Sequence, residues 1–296
     1  MNVEHVTIIG AGPAGIATAL QLKRYGITPI ILEKNTIGGL IRNAHLVENY
    51  PGFPEGISGL NLVHRFKNQL ERASIPVCFE EVTKLDIKDG NFLIKTQKRV
   101  FSSQMVVVVS GTKPREFTAF EIPEEVKDNI FYEIYPLLKV RDRTIIVVGA
   151  GDAAFDYALH LEKKNRVVLL NRGEQVKCLP LLWERARNSS RITYRKNTEL
   201  VRIIGTPSKK MLFECRSPQG ISKLDADYVV FALGREPQLD FLSEMVKTNV
   251  RELERNGRIY FVGDVKNDIY RQTAIAVGDG IMAAMKIARK LNEVSP

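Results

Sequence analysis

Two glycine turns govern what this chain can fold into, because each stands between an apolar strand and a helix and each is followed by a second strand. VTIIG (6–10) runs into GAGPAG and then AGIATALQLKRYG, whose apolar positions recur at helical spacing. PIILEK (29–34) follows as a strand ending in an acid. The same order returns at TIIVVG (144–149), the GAGDAA helix and RVVLLNR (166–172). Strand, crossover helix and parallel strand within about 30 residues form a βαβ unit. Two copies predict an α/β chain with two dinucleotide-binding domains.

The chemistry of the turns follows from their residues. Gly10 permits the tight turn, Gly12 lets backbone N–H groups approach a pyrophosphate, and Gly15 allows the helix to pack close to the strand. The phosphate then lies at the positive end of the helix, and Glu33 is placed to accept hydrogen bonds from a ribose diol. In the second turn Gly149 and Gly151 keep these roles and Ala154 takes the packing position. Its second strand ends in Asn171-Arg172 instead of an acid. An acid repels a 2′-phosphate whereas an arginine pairs with one, so NADPH is expected, with NADH as the alternative.

With 296 residues the chain has room for two domains. No apolar run approaches the ~20 residues of a spanning helix, and the start passes directly from a strand into the glycine turn. Cys78, Cys178 and Cys215 stand far apart without a CxxC or metal-ligand spacing. These features lead to the expectation of a cytoplasmic protein without membrane segment, disulfide framework or metal. Much of the net charge of +9 is concentrated over 184–210, where Arg185, Arg187, Arg191, Arg195, Lys196, Arg202, Lys209 and Lys210 outnumber Glu184 and Glu199. This run reads either as a solvated face or as a docking surface for an acidic partner. No nucleic-acid-binding motif accompanies it. Further strands are expected at VTKLDIKD, NFLIKTQ, MVVVVSG (105–111), MLFECRS, DYVVFALG (227–234) and RIYFVGD (258–264). TAIAVGDGIMAAMKIARKLNEV is expected as a helix with Ala, Ile and Met on one face.

Taken in order and spacing, IIGAGPAGIATALQL, GGLIRNAHLVENYPGFPEGISG (38–59), VSGTKPRE (109–116), GAGDAA, FALGREP (231–237) and FVGDVKNDIYRQTAIAVGDGIMAA (261–284) resemble the low-molecular-weight thioredoxin reductases, essentially end to end. The resemblance implies two Rossmann-like domains of glutathione reductase type: a discontinuous FAD domain, 1–113 plus 235–296, with an NAD(P)H domain, 114–234, inserted into it. It also implies a homodimer. Carried over, the FAD contacts are Gly10, Gly12, Pro13, Ala14, Gly15, Glu33 and Lys34 for the adenosine diphosphate half, and Gly39, Leu40 and Asn49 beside the flavin. Ser110 and Gly111 pass near the pyrophosphate, Gly263 and Asp264 hold the ribityl chain, and Arg271, Gln272 and Thr273 close over the isoalloxazine. The NADPH contacts are Gly149, Gly151, Asp152, Ala153, Ala154, Asn171, Arg172, Gly234 and Arg235.

The chain departs from that family at one place. Its redox-active CxxC precedes the second glycine turn, and counting back from Gly149 puts Tyr132 and Tyr135 of YEIY at the two cysteine positions. Tyrosine supplies neither an attacking thiolate nor a resolving partner. The expectation is therefore an FAD-dependent NAD(P)H oxidoreductase that passes electrons to a non-disulfide acceptor: ferredoxin, flavodoxin, a quinone or another small molecule. Some relatives without the cysteines resemble ferredoxin- or flavodoxin-NADP reductases, whose small acidic partners suit a basic chain, although the C-terminal extension common in them is missing after Pro296. The alternative is a flavoprotein that senses redox state for a partner. The tyrosines either stack on the flavin, as candidate catalytic residues, or pack between the domains.

Overall fold

The computed structural model describes residues 3–206 and 210–294, so Lys209 of the basic run lies outside the described residues. The chain divides into two compact units, one made of residues 1–42, 46–113 and 236–296, the other of 43–45 and 114–235. Six α-helices are described: α1 (Pro13–Arg24), α2 (Gly59–Arg72), α3 (Asp152–Leu161), α4 (Pro180–Asn188), α5 (Glu244–Arg255) and α6 (Thr273–Val294).

The first unit is built on a mixed sheet. Strands Val77–Cys78, Ile30–Leu32, Val3–Ile9 and Val100–Val108 lie side by side and parallel. Val100–Val108 is shared along its length: Phe101, Ser102 and Ser103 pair antiparallel with Asn91–Thr96, whereas Val106, Val107 and Val108 pair parallel with Ile259–Phe261. The parallel half is covered on both faces, which is why 105–109 reads as an unbroken apolar run. Leu32, Leu85, Phe92, Ile94, Val106, Val108, Phe241 and Ile259 form one core cluster. Each such side chain contributes about 1.5–3 kcal/mol by burial. Ser58 caps α2 by accepting the Asn61 N–H, and Leu62, Phe66 and Leu70 then point inward at four-residue spacing.

In the second unit five strands run parallel, in the order Ile192–Arg195, Arg166–Leu170, Thr144–Val148, Tyr228–Phe231 and Ile130–Phe131. Along Thr144–Val148 the side chains alternate. Ile145 and Val147 join Phe155, Leu159 and Leu161 of α3, and Ile146 joins Phe213, Val229 and Phe231 on the opposite face. That opposite face is covered by an antiparallel sheet of Glu199–Gly205, Met211–Ser217 and Gly220–Ala226.

One expectation needs correction. In α6 Ala276, Ala283, Ala284, Ile287 and Ala288 are buried, but Ala274, Ile275, Ile281, Met282 and Met285 are exposed. The helix carries apolar residues on two faces, so a single-stripe reading of its composition fails. No described helix is long and apolar enough to cross a membrane.

Candidate cofactor sites

The first site forms where Val3–Ile9 ends. Gly10 has φ +114°, and a Cβ there would stand 2.5 Å from the Val109 carbonyl oxygen, so only glycine fits. Its N–H donates to the Leu32 carbonyl at 2.8 Å, and the Ala11 N–H donates to Glu33 Oε2 at 2.8 Å. These two bonds draw the end of the second strand, with its acid, onto the glycine turn. Glu33 Oε1 accepts the Asn35 N–H at 2.9 Å. Gly12 begins α1 without a side-chain cap, Pro13 follows it, and the first turn holds no acidic residue. A Cβ at Gly12 would meet nothing within 4 Å. Open space before uncapped N–H groups at the positive end of a helix fits a pyrophosphate.

Several candidates meet around this helix end. A Cβ on Gly39 would approach Gly12 Cα to 3.3 Å, and one on Gly263 would approach Ala14 Cβ to 2.9 Å, which brings the neighbouring Asp264 to the same place. Ser110 and Gly111 continue from Val109, which borders both Gly10 and Gly15. The Ser110 hydroxyl donates to the Gln238 carbonyl at 2.6 Å, so it ties the chain rather than pointing freely outward. Asn49 Nδ2 donates to Gln272 Oε1 at 2.9 Å, joining two flavin candidates far apart in sequence. Lys34 is exposed, and Leu40, Arg271 and Thr273 are partly buried.

The second site is a cleft of about 920 Å³ in the second unit. Gly149, Gly151, Asn171, Arg172 and Gly234 line it. Gly149 donates to the Leu170 carbonyl at 3.0 Å, and Gly151 begins α3 without a side-chain cap. Asp152 instead accepts the Leu179 N–H at 2.7 Å, and Ala154 is buried beneath the turn. Ala153 is exposed on the first turn of α3. Asn171 is committed to its own loop: its amide nitrogen donates to the Gln175 carbonyl and the Tyr194 hydroxyl, and its oxygen accepts the Gly173 N–H. The loop so formed places Arg172 on the cleft wall.

Sequence reading missed Lys177, which also lines the cleft. Its N–H donates to the Ala150 carbonyl at 2.9 Å, and a short parallel bridge to Gly151 fixes it beside the glycine turn. Among the described residues neither Arg172 nor Lys177 forms an ion pair. Two cations on the wall of a cleft beside a helix N-terminus fit the 2′-phosphate of NADPH.

YEIY lies just after Ile130–Phe131. The Tyr132 hydroxyl accepts the Phe117 N–H at 3.1 Å, and its ring is tilted against Phe231 with centroids 5.7 Å apart. Tyr132 thus packs against the core of the second unit. Tyr135 is 44% exposed, and its N–H donates to Asn43 Oδ1 at 2.9 Å. Between them Glu133 accepts from Asn43 Nδ2 at 3.3 Å and pairs with Arg235 at 3.2 Å. Arg235 does not line the cleft.

A second group of ionisable residues in this unit was not visible in the sequence. Burial pushes the Asp156 carboxyl up to about 6, although the His45 N–H donates to it at 3.1 Å. Burial also lowers the pKa of His160, whose ring lies 5.3 Å from that of His45. No set of three metal-ligating side chains occurs among the described residues.

Each of the two glycine turns leads from a strand with parallel neighbours into a helix. Residues 4–280 match the model of the pyridine nucleotide-disulphide oxidoreductases. The chain belongs to that family. It is 28% identical to a thioredoxin reductase of Chlamydia trachomatis, over 98% of this chain and 99% of that protein. It is 26% identical to a 34.2 kDa protein in the rubredoxin operon of Clostridium pasteurianum, over 95% and 94%. The crystal structure of Lactococcus lactis thioredoxin reductase in its FR conformation superposes with a TM-score of 0.84 at 25% identity, covering 98% of this chain and 99% of that one. This pyridine nucleotide-disulphide oxidoreductase is therefore a thioredoxin reductase-like, FAD-dependent enzyme. FAD and NADPH are the cofactor pair of such enzymes, and the two sites fit them.

Proposed function

We propose that this enzyme takes reducing equivalents from NADPH by way of FAD and delivers them to an acceptor other than a protein disulfide. Residues 1–113 and 235–296 form the FAD domain in this reading, and 114–234 the NADPH domain. Bound FAD supplies the centre that accepts a hydride and releases electrons singly or in pairs. The chain's own residues bind and orient. The α1 N-terminus and Glu33 hold the adenosine half of FAD, Asp264 and the Asn49–Gln272 pair flank the flavin half, and Arg172 with Lys177 select the 2′-phosphate.

The observation that carries the reading is the state of the three thiols. Cys215 is fully buried and its thiol is pushed up to about 11, as is that of Cys178, in both cases mainly by burial. Burial and then Glu80 raise the Cys78 thiol against the opposing pull of Arg99. Disulfide exchange needs a thiolate and a resolving partner. None of the three offers a thiolate near neutral pH, and no two are close in sequence. At YEIY, Tyr132 acts as a packing residue, and Tyr135 presents the exposed ring.

The acceptor fits a small acidic electron carrier such as ferredoxin or flavodoxin, because the chain carries +9. The likeness to a protein of a rubredoxin operon adds rubredoxin to the carriers worth testing. The enzyme acts in the cytoplasm as a homodimer. The test is anaerobic reduction by NADPH followed by ferredoxin, flavodoxin, rubredoxin, quinones and thioredoxin side by side. Turnover with a carrier or a quinone and none with thioredoxin is expected. Efficient thioredoxin reduction would overturn the proposal, and a flavin that never bleaches with NADPH would leave only a redox-sensing role.

A further inference from the structure

The second unit gathers cations at the end of its sheet away from the glycine turn. Thr144–Val148, Arg166–Leu170 and Ile192–Arg195 start side by side, with Arg166 opposite Thr144 and Val167 opposite Ile192. Seven exposed cations from three separate stretches of chain surround these starts: Lys139, Arg141 and Arg143 before the first, Lys163, Lys164 and Arg166 at the second, Arg191 before the third. Backbone bonds tie the stretches together. The Asp142 N–H donates to the Lys164 carbonyl at 2.9 Å, the Arg166 N–H to the Arg143 carbonyl at 2.8 Å and the Val167 N–H to the Arg191 carbonyl at 2.9 Å. Buried Asn165 fastens them as well: its Oδ1 accepts the Arg143 N–H at 3.2 Å and its Nδ2 donates to the Val140 carbonyl at 3.1 Å. Of the basic run at 184–210, Arg191 joins this surface, whereas Lys196 is paired with Glu174 at 3.0 Å.

Three of the seven cations are used within the chain. Arg191 donates to the Glu162 and Lys163 carbonyls after α3, Lys164 reaches the Leu138 carbonyl at 3.4 Å, and Arg143 stands 3.8 Å from Asp227. Lys139, Arg141, Lys163 and Arg166 make no side-chain hydrogen bond or ion pair among the described residues. Asp142, Glu162 and Asp227 stand among the cations, but Glu162 already accepts the Ser189 hydroxyl and Asp227 the Thr144 N–H. Crowded like charges repel one another in the folded chain, and nothing in the chain offsets these four. The surface also has an aromatic member. Tyr135, 44% exposed, opens the short turn Tyr135–Leu137, and the next residue, Leu138, is the one that Lys164 reaches. An exposed tyrosine bordered by arginines has the composition of a protein-docking surface. A phosphate backbone, in contrast, is repelled by the carboxylates interspersed here.

We propose that this end of the second unit docks the acidic electron carrier. This rests on the acceptor reading above and names the surface that recognises the partner. Lys139, Arg141, Lys163 and Arg166 steer the carrier's carboxylates and hold them, and the Tyr135 ring supplies the contact that the charges border. The docking surface lies at the strand starts, whereas the NADPH cleft is lined by the strand ends at Val148 and Leu170. Carrier and NADPH therefore bind without competing.

The experiment titrates the flavin-loaded protein with an acidic flavodoxin by calorimetry and follows NADPH-driven flavodoxin reduction alongside. The variants are R141E/K163E/R166E, the milder R141Q/K163Q/R166Q, and K88E/K98E/R251E, which makes the same charge change at exposed positions of the first unit. At about 0.01 M ionic strength the glutamate triple should weaken flavodoxin binding about a hundredfold, the glutamine triple about tenfold and the first-unit triple less than about threefold. At about 0.15 M the parent's advantage should shrink. KM for NADPH and flavin content should match the parent in every variant. Unchanged affinity in both second-unit triples overturns this surface, and flavodoxin turnover by the parent then leaves the acceptor reading standing. An equal loss in the first-unit triple overturns it too, because overall charge would then govern. Binding in the expected pattern without electron transfer supports the surface and overturns the acceptor reading. A parent that binds no flavodoxin overturns the surface, and one that binds duplex DNA instead makes it a nucleic-acid site.

Discussion

Arg235 donates to Glu133 across 3.2 Å, with both side chains largely withdrawn from water. This pair holds the middle of YEIY from one side while Asn43 holds it from the other. Removing the carboxylate in Glu133→Ala leaves a shielded guanidinium without this partner, and a charge-assisted bond of this kind is worth about 1.5–3 kcal/mol. Chemical denaturation of Glu133→Ala should show a loss in that range, and Glu133→Gln a smaller one. A change below 0.5 kcal/mol in both would show that the pair does not hold the turn.

Tyr132 tests whether the aromatic residues at the dithiol positions serve packing or flavin chemistry. Its hydroxyl accepts one backbone N–H and its ring rests on Phe231. Tyr132→Phe should cost about 1 kcal/mol and Tyr132→Ala about 2–3 kcal/mol in unfolding free energy. The flavin absorption spectrum should be the same in both variants. A shifted spectrum with unchanged stability would instead place the ring on the flavin.

Cofactor choice should depend on two cations, not one. Arg172→Ala and Lys177→Ala should each raise KM for NADPH about tenfold, the loss of one charge-assisted contact. KM for NADH should hardly move, because NADH has no 2′-phosphate. Steady-state kinetics with both cofactors gives the answer, and equal effects on the two would remove Lys177 and Arg172 from the phosphate site.

Asp156 predicts a pH signature. Burial raises its carboxyl from 3.8 to about 6 in the folded chain. The folded state therefore binds this proton more tightly than the unfolded state. Its contribution to stability is complete below pH ~4 and is lost as pH rises through about 6. Relative to Asp156→Asn, the parent protein should lose on the order of 2–3 kcal/mol between those limits. Denaturant unfolding of both proteins at pH 4, 5, 6 and 7 measures it. A difference that is flat across this range would show that the carboxyl titrates normally.

The two βαβ units were legible because their signals are local. Gly10, Gly12, Gly15 and Glu33 lie within one crossover, and their spacing alone fixes which backbone groups face an anion. The expected strands were recovered for the same reason, with ends displaced by a few residues at Val3 and Val100. Helices α2 and α5 carry amphipathic patterns and serine caps but no glycine turn or functional motif that marks them. Lys177 could have been found from its place in the loop after the second strand of the repeat. Asp156 could not, since its shifted titration arises from burial by residues distant in sequence.

The sequence by itself determined that two glycine turns of dinucleotide-binding type are present, that the strand after the second ends in Asn171-Arg172 instead of an acid, and that Cys78, Cys178 and Cys215 stand without CxxC spacing. Each of these depends on neighbours along the chain. Only the tertiary structure decided which side chains remain available for those roles. It spends Asn171 on its own loop, brings Lys177 to the cleft through its bridge to Gly151, and packs the half-buried Tyr132 ring against Phe231. It also shows that α6 has a second, uncovered apolar face. A residue's type and spacing limit what it can bond to, but its actual partner is set by contacts between distant segments, which periodicity does not record.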